Sequence, residues 1–186
     1  MYWTTTCPSP LGELTLAGDG KKLCGLWLPE QKYFGGSILG EAKRDPAQPP
    51  FAAAIGWLEE YFAGKRPDPA RLPLGPVGSS FRQVVWGLLL DIPSGEVVTY
   101  RELARRTAKK LGRPTMSGQA VGGAVAHNPI SIIIPCHRVV GSGGSLTGYA
   151  GGIGAKQKLL ALEGVDLTPF TLPDGRPAKE ECGHGV

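Results

Sequence analysis

Long apolar runs are missing from this chain of 186 residues, and no stretch approaches the roughly 20 residues a membrane-spanning helix needs. Cysteine is scarce. The four are Cys7, Cys24, Cys136 and Cys182, and no two are spaced C-x-x-C, which argues against a disulfide-stapled fold and against a zinc site of standard spacing. Cys7 and Cys24 therefore read as strand or core residues, and no metal is expected. Met1 to Thr6 lacks the basic, apolar, small-residue layout of a secretory leader, so a cytoplasmic protein with no membrane association is expected. The formal charge of +4 tolerates a polyanionic partner without requiring one.

Glycine is plentiful: 28 of 186 residues, roughly twice ordinary usage. It gathers around Cys136 and in the helical stretch before it, which suggests backbones that something must approach closely. The first part of the chain alternates as strands over Tyr2–Thr6, Glu13–Ala17 and Leu23–Leu28, with Ala17-Gly18-Asp19-Gly20 as a hairpin turn. A polar loop is predicted from Glu30 to Pro50. A helix follows from Phe51 to Phe62, with Gly64 as its C-cap, and then a Pro-rich connector from Arg66 to Gly78 that has room for one short strand. None of this carries a chemical motif.

Composition changes at Ser79-Ser80. Ser80-Phe81-Arg82-Gln83 fits a capping box, and Phe81, Val84, Val85, Leu88 and Leu89 follow at helical spacing. Thr99-Tyr100-Arg101-Glu102 is a second capping box, opening a helix to about Lys110. A third helix is predicted from near Ser117 to His127, stopping at Asn128-Pro129. Helix, Gly-containing turn, helix is the outline of a helix-turn-helix, although most such pairs are only packing units. Gly122-Gly123 weakens the third helix by roughly 1 kcal/mol per residue relative to alanine. A small face of Ala120, Gly123 and Ala124 would let another surface, such as a nucleic-acid groove, come close.

The chain is organised around the stretch from Ile132 to Val140. Three consecutive isoleucines read as a strand buried on both faces, and Pro135 ends it for want of an N–H. Cys136, His137 and Arg138 follow directly. Most cysteines after apolar runs are inert. Neighbours on an extended chain also point to opposite faces, so His137 would need a turn or a bridging water to reach the Cys136 thiol. Gly141 to Gly154 holds seven glycines and reads as a loop over a pocket, with Tyr149 as an aromatic wall. Ala155–Glu163 is a last helix, capped by Gly164, and the tail from Val165, with Cys182 and His184, reads as partly ordered at best.

Pro135-Cys136-His137-Arg138-Val139 comes after Asn128-Pro129-Ile130 and before Gly148-Tyr149-Ala150-Gly151-Gly152 and Leu159-Leu160-Ala161-Leu162-Glu163-Gly164. Together these resemble the O6-alkylguanine-DNA alkyltransferase family strongly over about residues 80–165, and more weakly earlier through Ser9-Pro10-Leu11-Gly12 and the strands after it. The resemblance implies single-turnover repair of double-stranded DNA, moving an alkyl group from O6-alkylguanine, and from O4-alkylthymine, to Cys136 with no cofactor. It makes His137 the base acting through a water, Glu163 its orienter, Tyr100 the proton donor to the base, and Asn128 the tie of the turn. The Cys136 and Val139 carbonyls and the Ala150 N–H would face the guanine, with Tyr149 as a wall. Arg138, by contrast, reads from its own chemistry as the member of a structural ion pair, since a buried, paired arginine is often structural. The second helix of the motif, through Ala120, Gly123 and Ala124, would enter the minor groove of DNA whose lesion is flipped out. One departure stands out: the family's intercalating arginine corresponds to Gln119, which lacks charge and guanidinium stacking and predicts weaker duplex affinity or poorer extrusion.

Three other readings compete. A lesion sensor would lack the cysteine. A Cys136–His137 hydrolase would need turnover and an oxyanion motif, and a plain regulator would be indifferent to Cys136→Ser. The expected architecture is α/β in two parts. A small N-terminal α+β domain (1–78) with a short sheet precedes a C-terminal helix-turn-helix catalytic domain (79–168) and a tail (169–186), acting as a monomer.

Overall fold

The computed structural model describes residues 1–178. Three strands, β1 (Trp3–Cys7), β2 (Leu14–Gly18) and β3 (Leu23–Trp27), form an antiparallel meander. The turn between β2 and β3 is held by Asp19, whose carboxylate accepts from the Lys21 and Lys22 N–H groups. Within the segment expected to be a loop, a two-residue strand β4 (Lys43–Arg44) pairs parallel with β1, giving the order β3-β2-β1-β4. Helix α1 (Pro49–Phe62) starts two residues earlier than predicted, because proline is well suited to the first helical position. Gly64, at φ 81°, follows its C-cap, and Lys65 N–H returns to the Glu60 carbonyl. Cys7 and Cys24 are buried in β1 and β3.

In the second half, α2 (Ser80–Leu90) is capped by the Ser79 hydroxyl, one residue earlier than predicted. Gln83 turns away to the Pro76 carbonyl instead of closing a box. The Thr99 hydroxyl caps α3 (Tyr100–Lys110) as expected, but the Glu102 carboxylate pairs with Arg105 and Arg106, so this box is not reciprocal either. Ser117 caps α4 (Gly118–Ala126). α2, α3 and α4 pack as a three-helix group, with Trp86 of α2 donating its indole N–H to the Ala124 carbonyl. A two-stranded parallel pair, β5 (Val98–Thr99) and β6 (Val139–Val140), and a last helix, α5 (Ile153–Leu162), complete the framework. One hydrophobic core runs continuously from the sheet and α1 into α2, α3, α4 and the Cys136 region. No helix among the described residues is long and apolar enough to cross a membrane.

The predicted isoleucine strand does not exist. Ile130 makes a single bridge to Leu26, after which the chain turns, with Ile134 N–H bonded to the Ile130 carbonyl and Ile132 at φ 70°. An apolar run reports burial, not extension, and here the Asn128 amide and local turn bonds satisfy the buried backbone that a ladder would otherwise pair. The described part of the tail packs against the domain. Leu167 and Ala178 are buried with Val140, Leu146 and Leu160 in a small second core, and Thr171 bridges Ser145. Cys182 and His184 lie outside the described residues.

Candidate active site

Asn128 builds the turn that presents Cys136. Its Oδ1 accepts from Ile130 N–H at 3.0 Å. Its Nδ2 donates to the Ile134 carbonyl at 2.8 Å, lies 3.4 Å from the Ile130 carbonyl, and approaches Cys136 Sγ at 3.1 Å. The N-terminal sheet clamps the same segment. Leu26 N–H donates to the Pro129 carbonyl and Ser131 N–H to the Leu26 carbonyl, while the Ser131 hydroxyl donates to Gln31 Oε1. A left-handed β-branched residue costs of order 1–3 kcal/mol, and these bonds are what hold Ile132 there.

Cys136 and His137 sit together in one 3-10 turn, Cys136–Arg138, and both are buried. They share no hydrogen bond. His137 Nε2 lies 2.7 Å from Glu163 Oε1, whereas Nδ1 is buried without a partner. A carboxylate can only accept, so Nε2 carries the proton and Nδ1 keeps its lone pair. Burial pushes the imidazole below its usual value against the opposing pull of Glu163, so the ring is held neutral. Burial also raises the Cys136 thiol, countered by the Asn128 hydrogen bond and the Lys156 charge. At rest this is a neutral thiol near a neutral imidazole that can take its proton.

Glu163 caps α5 at its C-terminus. Burial alone would raise its carboxyl, but the hydrogen bonds and charges of His137 and Arg138 outweigh that and hold it well below the usual range. Arg138 is bidentate on it, with Nε to Oε2 at 2.8 Å and Nη2 to Oε1 at 2.9 Å, and also donates to the Ile92 carbonyl. This is the expected structural ion pair.

Tyr100, the first residue of α3, places its hydroxyl 3.4 Å from the Thr147 carbonyl. Its pKa is pushed up to about 12 by burial and then by Cys136, so it stays a donor. The glycine loop is shaped around it. Gly148 has φ 79°, and a Cβ there would come within 2.5 Å of the Tyr100 oxygen. The Tyr149 ring stands edge-on to His137, its hydroxyl buried without a partner. The Ala150 carbonyl accepts from Lys32 N–H.

Two participants escaped sequence reasoning. Lys156 of α5 is fully buried and donates to the Val139 and Thr147 carbonyls, joining β6 to the glycine loop beneath Tyr100. Burial depresses its pKa to about 8. The Val139 carbonyl is thus already engaged and has only its second lone pair for a substrate. Tyr61 of α1 donates to Glu163 Oε1 at 2.8 Å from 102 residues away. A lysine in the apolar phase of α5 was a legible signal; a tyrosine in the apolar phase of α1 was not.

On α4, Gln119, Ala120 and Gly123 are exposed, whereas Ala124 is buried at 3% exposure. Ala124 therefore belongs to the core and not to an outward face, because its helical phase is shared with Val121 and Val125, against Trp86. The outward small residue in its place is Gly122, half-buried against the Tyr100 ring. α4 carries no charge. The cations lie on α3 and the turn after it, where Arg101, Arg105, Lys109 and Arg113 line a groove of about 810 Å³ with Tyr100 and Met116.

Fold and site together define a helix-turn-helix protein with a buried cysteine next to a buried histidine that is held by a carboxylate. Family models for the 6-O-methylguanine DNA methyltransferase ribonuclease-like domain and DNA binding domain match residues 1–76 and 80–165. Curated relatives called methylated-DNA–protein-cysteine methyltransferase include one from Mycobacterium tuberculosis, 44% identical over 89% of this chain and 96% of its own length. Another, from Methanosarcina acetivorans, is 40% identical over 84% of this chain and 94% of its own. A crystal structure of Mycobacterium tuberculosis OGT in complex with DNA superposes with a TM-score of 0.72 at 41% identity, covering 95% of both chains. The chain belongs to the 6-O-methylguanine DNA methyltransferase family.

Proposed function

We propose that this chain repairs DNA by taking an alkyl group from O6 of guanine, and from O4 of thymine, onto Cys136, once per molecule. The observation that carries the reading is the neutral imidazole of His137, fixed as the Nε2–H tautomer by Glu163 and leaving a buried Nδ1 lone pair one residue from a buried thiol. His137 takes the thiol proton through an intervening water, and the thiolate attacks the alkyl carbon. The S–C bond forms as the C–O6 bond breaks, and the electron pair stays on the departing base, which Tyr100 protonates. The resulting thioether cannot be deprotonated again, which makes the reaction single-turnover.

Tyr149 walls the pocket, while the Cys136 carbonyl, the free lone pair of Val139 O and the Ala150 N–H meet the guanine edge. Gln119, Ala120 and Gly123 face the minor groove of duplex DNA, and the lesion is flipped to reach the thiol. The α3 cations meet phosphates, a non-specific and salt-dependent contribution. Residues 1–78 act as a supporting domain and 79–168 as the catalytic one, in a monomer.

Intact-protein mass after incubation with duplex DNA holding one O6-methylguanine tests this. One added methyl on Cys136, absent in Cys136→Ser, is expected. Unchanged mass with lesion binding retained in both proteins would make this a sensor, and no binding at all would sink the reading.

A further inference from the structure

Glu163 Oε1 receives three donors: His137 Nε2 at 2.7 Å, the Tyr61 hydroxyl at 2.8 Å and Arg138 Nη2 at 2.9 Å. A carboxylate oxygen presents about two lone-pair sites, so the three compete. Oε2 is occupied by Arg138 Nε at 2.8 Å, with Gly95 N–H farther off at 3.4 Å, and offers His137 no alternative. Tyr61 cannot swing aside. It is buried, and its ring stacks on Trp57 at 5.4 Å between centroids with planes 10° apart.

We propose that Tyr61 is a positioning residue for the alkyl transfer: by sharing Oε1 it weakens the pull of Glu163 on His137 and keeps the imidazole neutral at working pH. The inference rests on Cys136 being the acceptor and His137 its base. It gives the N-terminal half of the chain a part in the reaction, since α1 supplies a donor to a relay whose other members lie beyond residue 130.

The surrounding charges fit such tuning. Arg138 faces Glu163 alongside Tyr61, and Arg66 Nη2 lies 3.4 Å from the Glu163 backbone carbonyl. Around His137 stand Cys136, the Tyr149 ring and Lys156; both Lys156 and Arg138 oppose an imidazolium. Only Glu163 favours one, so its strength as an acceptor sets how readily His137 takes a proton. Burial, then the Glu163 charge, pushes the Tyr61 phenol far up. Tyr61 thus remains a donor throughout the range in which His137 titrates.

Tyr61→Phe keeps the ring and removes the donor. Two readouts on the full chain test it: the single-turnover methyl-transfer rate from an O6-methylguanine duplex across pH, and the titration of the His137 imidazole by NMR. The acid limb of the rate and the His137 midpoint should both rise by roughly half a pH unit, about threefold in proton affinity, with rates above the limb unchanged. An unmoved His137 midpoint, or a rate lowered equally at every pH, would overturn the proposal and leave Tyr61 a packing residue. Site-specific 3-fluorotyrosine at position 61, a stronger donor of nearly the same shape, should move both readouts the other way and serves if Tyr61→Phe fails to fold. A wild type that accepts no methyl would instead remove the acceptor reading, while the NMR arm still reports on His137.

Discussion

Asn128 Nδ2 lies 3.1 Å from Cys136 Sγ, so the group that shapes the turn also touches the sulfur proposed as the alkyl acceptor. Cys136 and its scaffold are therefore one hydrogen-bonded unit. A change at either is felt at the other.

Asn128→Ala strands the Ile130 N–H and the Ile134 carbonyl in a buried turn that already strains Ile132. At about 1–3 kcal/mol for each unsatisfied group, the loss of stability should be roughly 3 kcal/mol. Urea unfolding measures it, and a midpoint within error of wild type would refute this account of the turn.

Stability should fall with acid in two stages. The folded pKa of His137 lies below its usual 6.5, so its contribution is complete above that value and declines as pH drops below it. Glu163, depressed from 4.5, adds a second loss below that pH. His137→Gln keeps a donor toward Glu163 but does not titrate. Denaturant midpoints for it should be flat between pH 6.5 and 4.5, where those of wild type decline.

Gly148→Ala asks for a Cβ at φ 79° and 2.5 Å from the Tyr100 oxygen. Backbone strain of about 1 kcal/mol or more should accompany displacement of Tyr100. Methyl transfer should slow tenfold or more, on the order of a lost proton donor, while duplex binding stays near wild type. Equal rates in rapid-quench experiments would show that Tyr100 does not protonate the leaving base.

Gln119→Arg should tighten duplex binding, speed repair and steepen the dependence of log K on log salt by about 0.9. Neutralising Lys109 or Arg113 on the groove wall should flatten that slope by a similar amount, with lesion discrimination preserved. Fluorescence anisotropy across salt concentrations separates the two. An unchanged or slower repair rate for Gln119→Arg would count against a cost for glutamine there.

The elements that depend on local chemistry were legible in the chain. Ser117 and Thr99 announced their helices because a cap is settled within four residues. Periodicity marked α1 and α2, and the Cys136-His137 dipeptide marked the candidate site, where, as extended-chain geometry predicts, the two side chains share no hydrogen bond. The isoleucine run misled, since three buried β-branched residues look alike in a strand and in a turn held by an asparagine. Small size says nothing of facing: Ala124 resembles Ala120 and Gly123 as a residue, yet packing against Trp86 turns it inward. The second core under the tail depends on Leu146, Leu160 and Leu167 meeting, which no local pattern encodes.

By itself, then, the sequence determined the helix-turn-helix and the family and singled out Cys136 as the candidate nucleophile, all through short contiguous patterns. Only the tertiary structure decided which donors share Glu163, because Tyr61, His137 and Arg138 reach one carboxylate from distant parts of the chain. The basicity of His137 depends on how that oxygen is divided, and competition for a lone pair exists only once the chain has folded.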